Sequence, residues 1–73
     1  MEKWIAKRDP EVMNGELCFT GTRVPVYLLF AWLEDGETVE GFLEDYPSVN
    51  PEQVRAVLKT SRTLIESEHK KSA

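Results

Sequence analysis

The chain has 73 residues, a formal net charge of −4 and a single cysteine. That length makes one domain with a small core, so burial against a second subunit or a partner protein is expected. Cys18 has no second cysteine with which to form an internal disulfide, no apolar run is long enough to span a bilayer, and the opening residues Met1 to Arg8 are charged throughout, which does not fit a signal segment. A protein working in a reducing cytoplasm follows as the expectation. Charge is unevenly placed. Residues 1–50 carry ten acids and four bases, whereas residues 51–73 carry three acids and five bases. Any contact with phosphate should therefore come from the C-terminal third.

In chain order, Trp4-Ile5-Ala6-Lys7 reads as a short strand that Asp9-Pro10 interrupts. Asn14-Gly15 is a hairpin signal between Val12-Met13 and Leu17-Cys18-Phe19. A hairpin this small needs a surface to cover it, so it is read as a lid over helices, with a dimer-forming or partner-pairing edge as the alternative.

Gly21-Thr22-Arg23-Val24-Pro25-Val26 reads as a turn, a short extended piece and a helix start. Glycine suits the tight turn, threonine can bond the neighbouring backbone, and proline holds Val24 extended. The first helix is expected from about Pro25 to Asp35, stopped by Gly36. Val26, Leu29, Phe30 and Leu33 share its core face, while Tyr27, Leu28, Ala31 and Trp32 make the rest of the wheel apolar as well. A helix apolar all round is buried on more than one side, which points to contact with another chain, so these four residues are the candidate partner or dimer interface.

The second helix is expected from Thr38, its N-cap, to Asp45, with Val39, Phe42 and Leu43 inward. Gly41 in its middle marks either a close helix contact or, as the preferred reading, a tolerated flaw. Tyr46-Pro47-Ser48-Val49 forms the turn. Asn50 caps a third helix with Pro51 at its first position, running to about Glu68, with fraying from His69 onward. Val54, Val57, Leu58, Ser61, Leu64 and Ile65 recur at helical spacing and make its core face. The division is then a β arm and hairpin over 1–24, a three-helix bundle over 25–68 and a tail over 69–73. The fold class is mainly α: a helix-turn-helix, homeodomain-like bundle with a short N-terminal β hairpin.

Arg55, Lys59 and Arg62 form a basic strip on the third helix with Gln53 beside it, the candidate DNA-binding residues. Glu52 and Glu66 stand at pairing distance from Arg55 and Arg62, so a solvated, ion-paired face is the favoured reading of the strip. Arg23, held between a turn and a proline, is expected to pair with Asp45 or Glu44, or otherwise to reach a partner. Cys18 reads as a buried apolar thiol. No nucleophile–base set or metal-ligand cluster is legible, so no cofactor, metal or enzymatic activity is expected. The acids at 34, 35, 37, 44 and 45 read as solvated surface.

Gly21-Thr22-Arg23-Val24-Pro25-Val26, Leu29, Leu33, Gly36, Tyr46-Pro47 and the opening Asn50-Pro51-Glu52-Gln53-Val54 resemble the domain of unknown function 433 family over about residues 10 to 65. The structural motif of that resemblance is Gly21, Thr22, Arg23, Pro25, Tyr46 and Pro47. The resemblance implies a small helix-turn-helix-like bundle. It also implies an antitoxin of a type II toxin–antitoxin pair, similar to VapB-type proteins, acting beside a PIN-like ribonuclease, with homodimerisation and operator DNA as further expectations. A small structural or assembly protein without nucleic-acid binding is the alternative. Leu28, Ala31, Gly41 and Thr60-Ser61 depart from the family pattern, the first two toward a more apolar surface.

Overall fold

The N-terminal arm folds back on itself before any helix begins. In the computed structural model, which describes residues 1–69, β1 (Ala6–Arg8) and β2 (Leu17–Phe19) pair antiparallel, with Ala6 opposite Phe19 and Lys7 opposite Cys18. The hairpin exists, but its first strand is not Val12-Met13. Met13 and Asn14 have φ of 51° and 55° and belong to a 3-10 turn over Met13–Gly15, where extended pairing is impossible. The chain reaches that turn through another: the Val12 N–H donates to the Asp9 carbonyl at 2.9 Å, and the Asp9 carboxylate accepts from the Glu11 N–H at 3.0 Å.

Gly21 then reverses the chain. The Thr22 N–H donates to the Phe19 carbonyl at 3.0 Å, and Gly21, third in the turn, has φ 83°, as a type II turn requires. The Thr22 hydroxyl donates to the Phe19 carbonyl at 2.8 Å and accepts from the Val24 N–H at 3.0 Å. Val24, extended ahead of proline, accepts from the Phe19 N–H at 3.0 Å, and Cys18 bridges to Pro25. β2 is thus flanked by β1 on one side and by the Val24-Pro25 segment on the other.

Three helices follow: α1 (Val26–Glu34), α2 (Val39–Asp45) and α3 (Pro51–Glu68). Local chemistry sets their ends. Beyond α1, Gly36 has φ 84°, its N–H donates to Leu33 at 3.0 Å, and the Glu37 N–H donates to Trp32 at 3.2 Å, a Schellman stop. The Thr38 hydroxyl caps α2 by accepting from the Gly41 N–H at 3.0 Å. Asn50 caps α3 through its side chain, accepting from the Glu52 N–H at 2.8 Å, while the Gln53 side chain reaches back to the Asn50 N–H at 2.9 Å. The fold is mainly α, with the antiparallel hairpin at its N-terminal end. Residues 70–73 of the expected tail lie outside the described residues.

The hairpin covers the helices as a lid. Phe19 from β2, Leu29 from α1, Phe42 from α2 and Val54 and Val57 from α3 are fully buried together, with Ile5, Ala6, Val26 and Val49 around them. Phe42 is the aromatic hub, its ring centroid 6.1 Å from Phe19, 6.1 Å from Trp32 and 4.9 Å from Tyr46. Burying one such ring contributes about 1.5–3 kcal/mol. Gly41 is not a flaw. A Cβ there would stand 3.3 Å from Trp32 Cζ2 and 3.3 Å from the Thr38 hydroxyl, so the glycine lets α2 approach α1 closely.

The core face of α3 outruns the core. Val54 and Val57 are buried and Leu58 and Ser61 half-buried, but Leu64 and Ile65 are 59% and 58% exposed. Eighteen residues at about 1.5 Å each make a helix of about 27 Å. The body formed by the hairpin and the two shorter helices ends before it does. The described residues accordingly extend 45 × 28 × 19 Å with a radius of gyration of 13.5 Å, against about 11 Å for a compact chain of this length.

Candidate functional site

Three surfaces carry the residues singled out in the sequence. The first is the turn at Gly21. Two clefts, of about 580 and 670 Å³, meet at Thr20, Gly21 and Ser48. Lys7, Asp9, Cys18 and Arg23 line the first; Trp4, Asn50, Glu52 and Gln53 line the second. Arg23 is exposed at the rim, and among the described residues it forms no ion pair with Asp45 or Glu44. The expected internal salt bridge is replaced by a guanidinium that the turn holds toward solvent. Cys18 beneath it is buried; burial, and then the charge of Glu16, push its thiol above the ordinary value, against the opposing charge of Arg23. Pro25 is buried at the N-cap of α1, Tyr46 half-buried against Phe42, and Pro47 exposed.

The second surface is the outer face of α3, where Arg55, Leu58, Lys59 and Arg62 line a shallow groove of about 370 Å³. Arg55 is ion-paired with Glu52, and Arg62 with Glu66 at 3.8 Å, the two pairs read from the sequence. The hydrogen bond from Arg55, and then its charge, hold the Glu52 carboxyl below its usual range. Gln53 is not part of this strip. It is 6% exposed, and its amide nitrogen donates to the carbonyls of Trp4 and Thr20 at 3.0 Å each and of Ile5 at a longer 3.4 Å. It bolts the N-terminal arm to α3 and is not available to read a base. The spacing of Asn50 and Gln53 signals the capping box alone, the local bond from the Asn50 N–H to the Gln53 side chain, and not the bonds to the arm.

The third surface is α1. Tyr27, at 57% exposure, and Ala31 face solvent, but Leu28 and Trp32 are half-buried against the core. The Trp32 indole N–H donates to the Thr38 carbonyl at 2.8 Å, and its ring meets Phe42 and Tyr46 edge-on. The second apolar side of α1 is thus divided between α2 of the same chain and open surface. Elsewhere, on the arm and its connection, Met1, Trp4 and Met13 are 59%, 49% and 44% exposed.

Glu34, Asp35, Glu37, Glu44 and Asp45 are exposed. Among the described residues no three His, Cys, Asp or Glu side chains converge as metal ligands would, and no helix is long and apolar enough to cross a membrane.

Comparison with known proteins adds a family. Residues 7–59 match the family described as "Protein of unknown function (DUF433)". "Uncharacterized protein y4eO" of Sinorhizobium fredii is 39% identical over 51 residues, which is 70% of this chain and 23% of that protein. The chain thus spans about a quarter of the length of this relative. No solved structure matches. The match takes in most of β1, all of β2, the Gly21–Pro25 turn, all of α1 and α2 and the first half of α3, and on it the chain belongs to the DUF433 family.

Proposed function

We propose that this protein is a non-enzymatic binding module, the antitoxin of a type II toxin–antitoxin pair. It holds and neutralises a PIN-like ribonuclease in the cytoplasm. The class of partner follows from the resemblance to VapB-type antitoxins. The observation that carries the reading is the number of large apolar side chains left in water: Met1, Trp4 and Met13 on the arm and Tyr27 on α1 are each more than 40% exposed. Tryptophan, tyrosine and methionine are the side chains that anchor protein interfaces, and a core this small leaves them for a partner to cover.

Operator DNA is a second ligand, favoured by the groove at Arg55, Lys59 and Arg62. The carboxylates of Glu52 and Glu66 already engage two of those cations, so protein binding is the primary role and DNA contact the weaker one. A small assembly protein without nucleic-acid binding is the competing reading.

The test is copurification. A tagged chain co-expressed with the product of the adjacent reading frame retains that protein, and Tyr27→Glu together with Trp4→Glu releases it while the fold persists by circular dichroism. Retention by the double variant overturns the choice of surface. Absence of any PIN-like product among the proteins retained overturns the antitoxin reading. For DNA, affinity for the upstream region at low salt should fall steeply with added salt and on Lys59→Ala.

A further inference from the structure

The geometry points to a binding site for a phosphomonoester in the cleft beside the Gly21 turn, with Arg23 and Lys7 as its cations. Neither residue belongs to the apolar surface assigned to the ribonuclease, so the site stands whether or not that partner binds. The cleft measures about 580 Å³, room for a small organic molecule. Lys7 stands opposite Cys18 in the β1–β2 pair, so the two side chains leave the same face. The charge of Arg23 is felt at that same buried thiol, which sets both cations beside one group. Arg23 is carried on backbone fixed from both sides. The Thr22 hydroxyl bonds the Phe19 carbonyl and the Val24 N–H, and the Val24 carbonyl accepts from the Phe19 N–H at 3.0 Å. The turn thus presents the guanidinium at the rim with little backbone entropy left to lose on binding.

The chain makes no other use of these charges. Among the described residues neither Lys7 nor Arg23 forms an ion pair, whereas Arg55 and Arg62 on α3 are both paired. Charge balance along the sequence places phosphate contact in the C-terminal third, but pairing leaves the cations of the cleft the less engaged. The Ser48 hydroxyl and the N–H groups of Gly21 and Arg23 border the same cleft, and among the described residues they donate to no protein acceptor. Asp9 is the one carboxylate in the lining; it is half-buried and accepts from the Glu11 N–H at 3.0 Å. Glu16, whose charge also reaches Cys18, lies outside the lining and accepts from the Leu17 N–H at 3.1 Å. Two cations against one engaged carboxylate leave the cleft positive in a chain of net charge −4.

The donors choose among oxyanions. A carboxylate has two oxygens in one plane, and a single guanidinium satisfies both. That leaves Lys7, Ser48 and the turn N–H groups without acceptors. A phosphomonoester has three free oxygens and close to two charges near neutral pH, enough for Arg23, Lys7 and the neutral donors together. The cleft is larger than a phosphate ion, and Val12, Phe19 and Val24 give it an apolar wall, so the ligand is an ester with an organic group.

Titration of the isotope-labelled whole chain with phenyl phosphate, at constant ionic strength and about pH 7.5, tests this by NMR. The amides of Gly21, Arg23 and Ser48 should shift and saturate at about millimolar ligand, while those around Lys59 move little. Arg23→Gln should weaken binding about tenfold, and Lys7→Gln by less, since an exposed ammonium lacks the bidentate fork. Both variants should keep the wild-type thermal midpoint, because both side chains are exposed. Lys7→Gln lies outside the turn and tests the site even if Arg23→Gln fails to fold. Inorganic phosphate and benzoate should both bind more weakly than phenyl phosphate. No saturable shift at the cleft, saturation at α3 instead, or unchanged affinity in both variants overturns the site. Benzoate binding as tightly overturns the choice of phosphate, and inorganic phosphate binding as tightly overturns the ester.

Discussion

Gln53 offers the sharpest perturbation of the fold. Its side chain is buried and makes three hydrogen bonds of normal length, donating to the carbonyls of Trp4 and Thr20 and accepting from the Asn50 N–H. The fourth contact, to Ile5 at 3.4 Å, shares the two donor hydrogens of one amide and is discounted. Gln53→Met keeps the volume and removes all three bonds. At about 1 kcal/mol net for each, the loss is about 3 kcal/mol. A domain of about 70 residues has some 4–10 kcal/mol in total, so this is a third or more of its stability. The thermal midpoint should fall by about 12–24 °C, at about 4–8 °C per kcal/mol for a domain of this size. Urea unfolding followed by circular dichroism measures the loss. Amide exchange should accelerate first at Thr20, whose N–H donates to the Ile5 carbonyl at the root of the arm. A loss below about 1 kcal/mol, or exchange in the arm no faster than in the wild type, would refute the role of Gln53 as a bolt.

Three further outcomes follow from the same geometry. Gly41→Ala should gain about 1 kcal/mol of helix propensity, yet lower stability by about 1 kcal/mol net, because Trp32 is held by Thr38, Phe42 and Tyr46 and cannot recede. The urea midpoint and the Trp32 indole resonance report it, and a more stable variant would show that the close approach carries no strain. The raised pKa and burial of Cys18 predict slow reaction with a thiol reagent near neutral pH and fast reaction in urea; equal rates in both would contradict the burial. Arg55 holds the Glu52 pKa below its ordinary 4.5, so this pair's contribution is present above about pH 4.5 and is lost as pH falls through the depressed value. Carboxyl titration by NMR in Arg55→Ala should return Glu52 to its ordinary range, and an unmoved midpoint would break the assignment.

The sequence disclosed whatever local chemistry determines. Gly36 stopped α1, Thr38 and Asn50-Pro51 opened the later helices, and the hydroxyl of Thr22 secured the Gly21 turn, because each acts within a few residues of itself. The hairpin partner is not legible in the sequence because strand pairing is not local. Asn14-Gly15 marks a reversal, but positive φ from Met13 onward moved the pairing back to Ala6–Arg8. Periodicity told which face of α3 is apolar, not how far the body would reach along it, so Leu64 and Ile65 were assigned to a core that stops short of them. Gln53 lies beside the basic strip in sequence, and its burial depends on carbonyls about fifty and thirty residues earlier, which no window of sequence contains. The place of Trp32 against its own chain is not legible either, because an all-apolar helix gives no sign of which side that chain will take.

On the proposed function, the exposed arm and α1 cover a ribonuclease. A titration of RNA cleavage tests it most directly. Purified product of the neighbouring PIN-like frame is incubated with a structured RNA and increasing amounts of this chain. Cleavage should fall to background near one chain per ribonuclease, and Tyr27→Glu with Trp4→Glu should abolish the inhibition. Cleavage undiminished by an excess of the folded wild-type chain would contradict it.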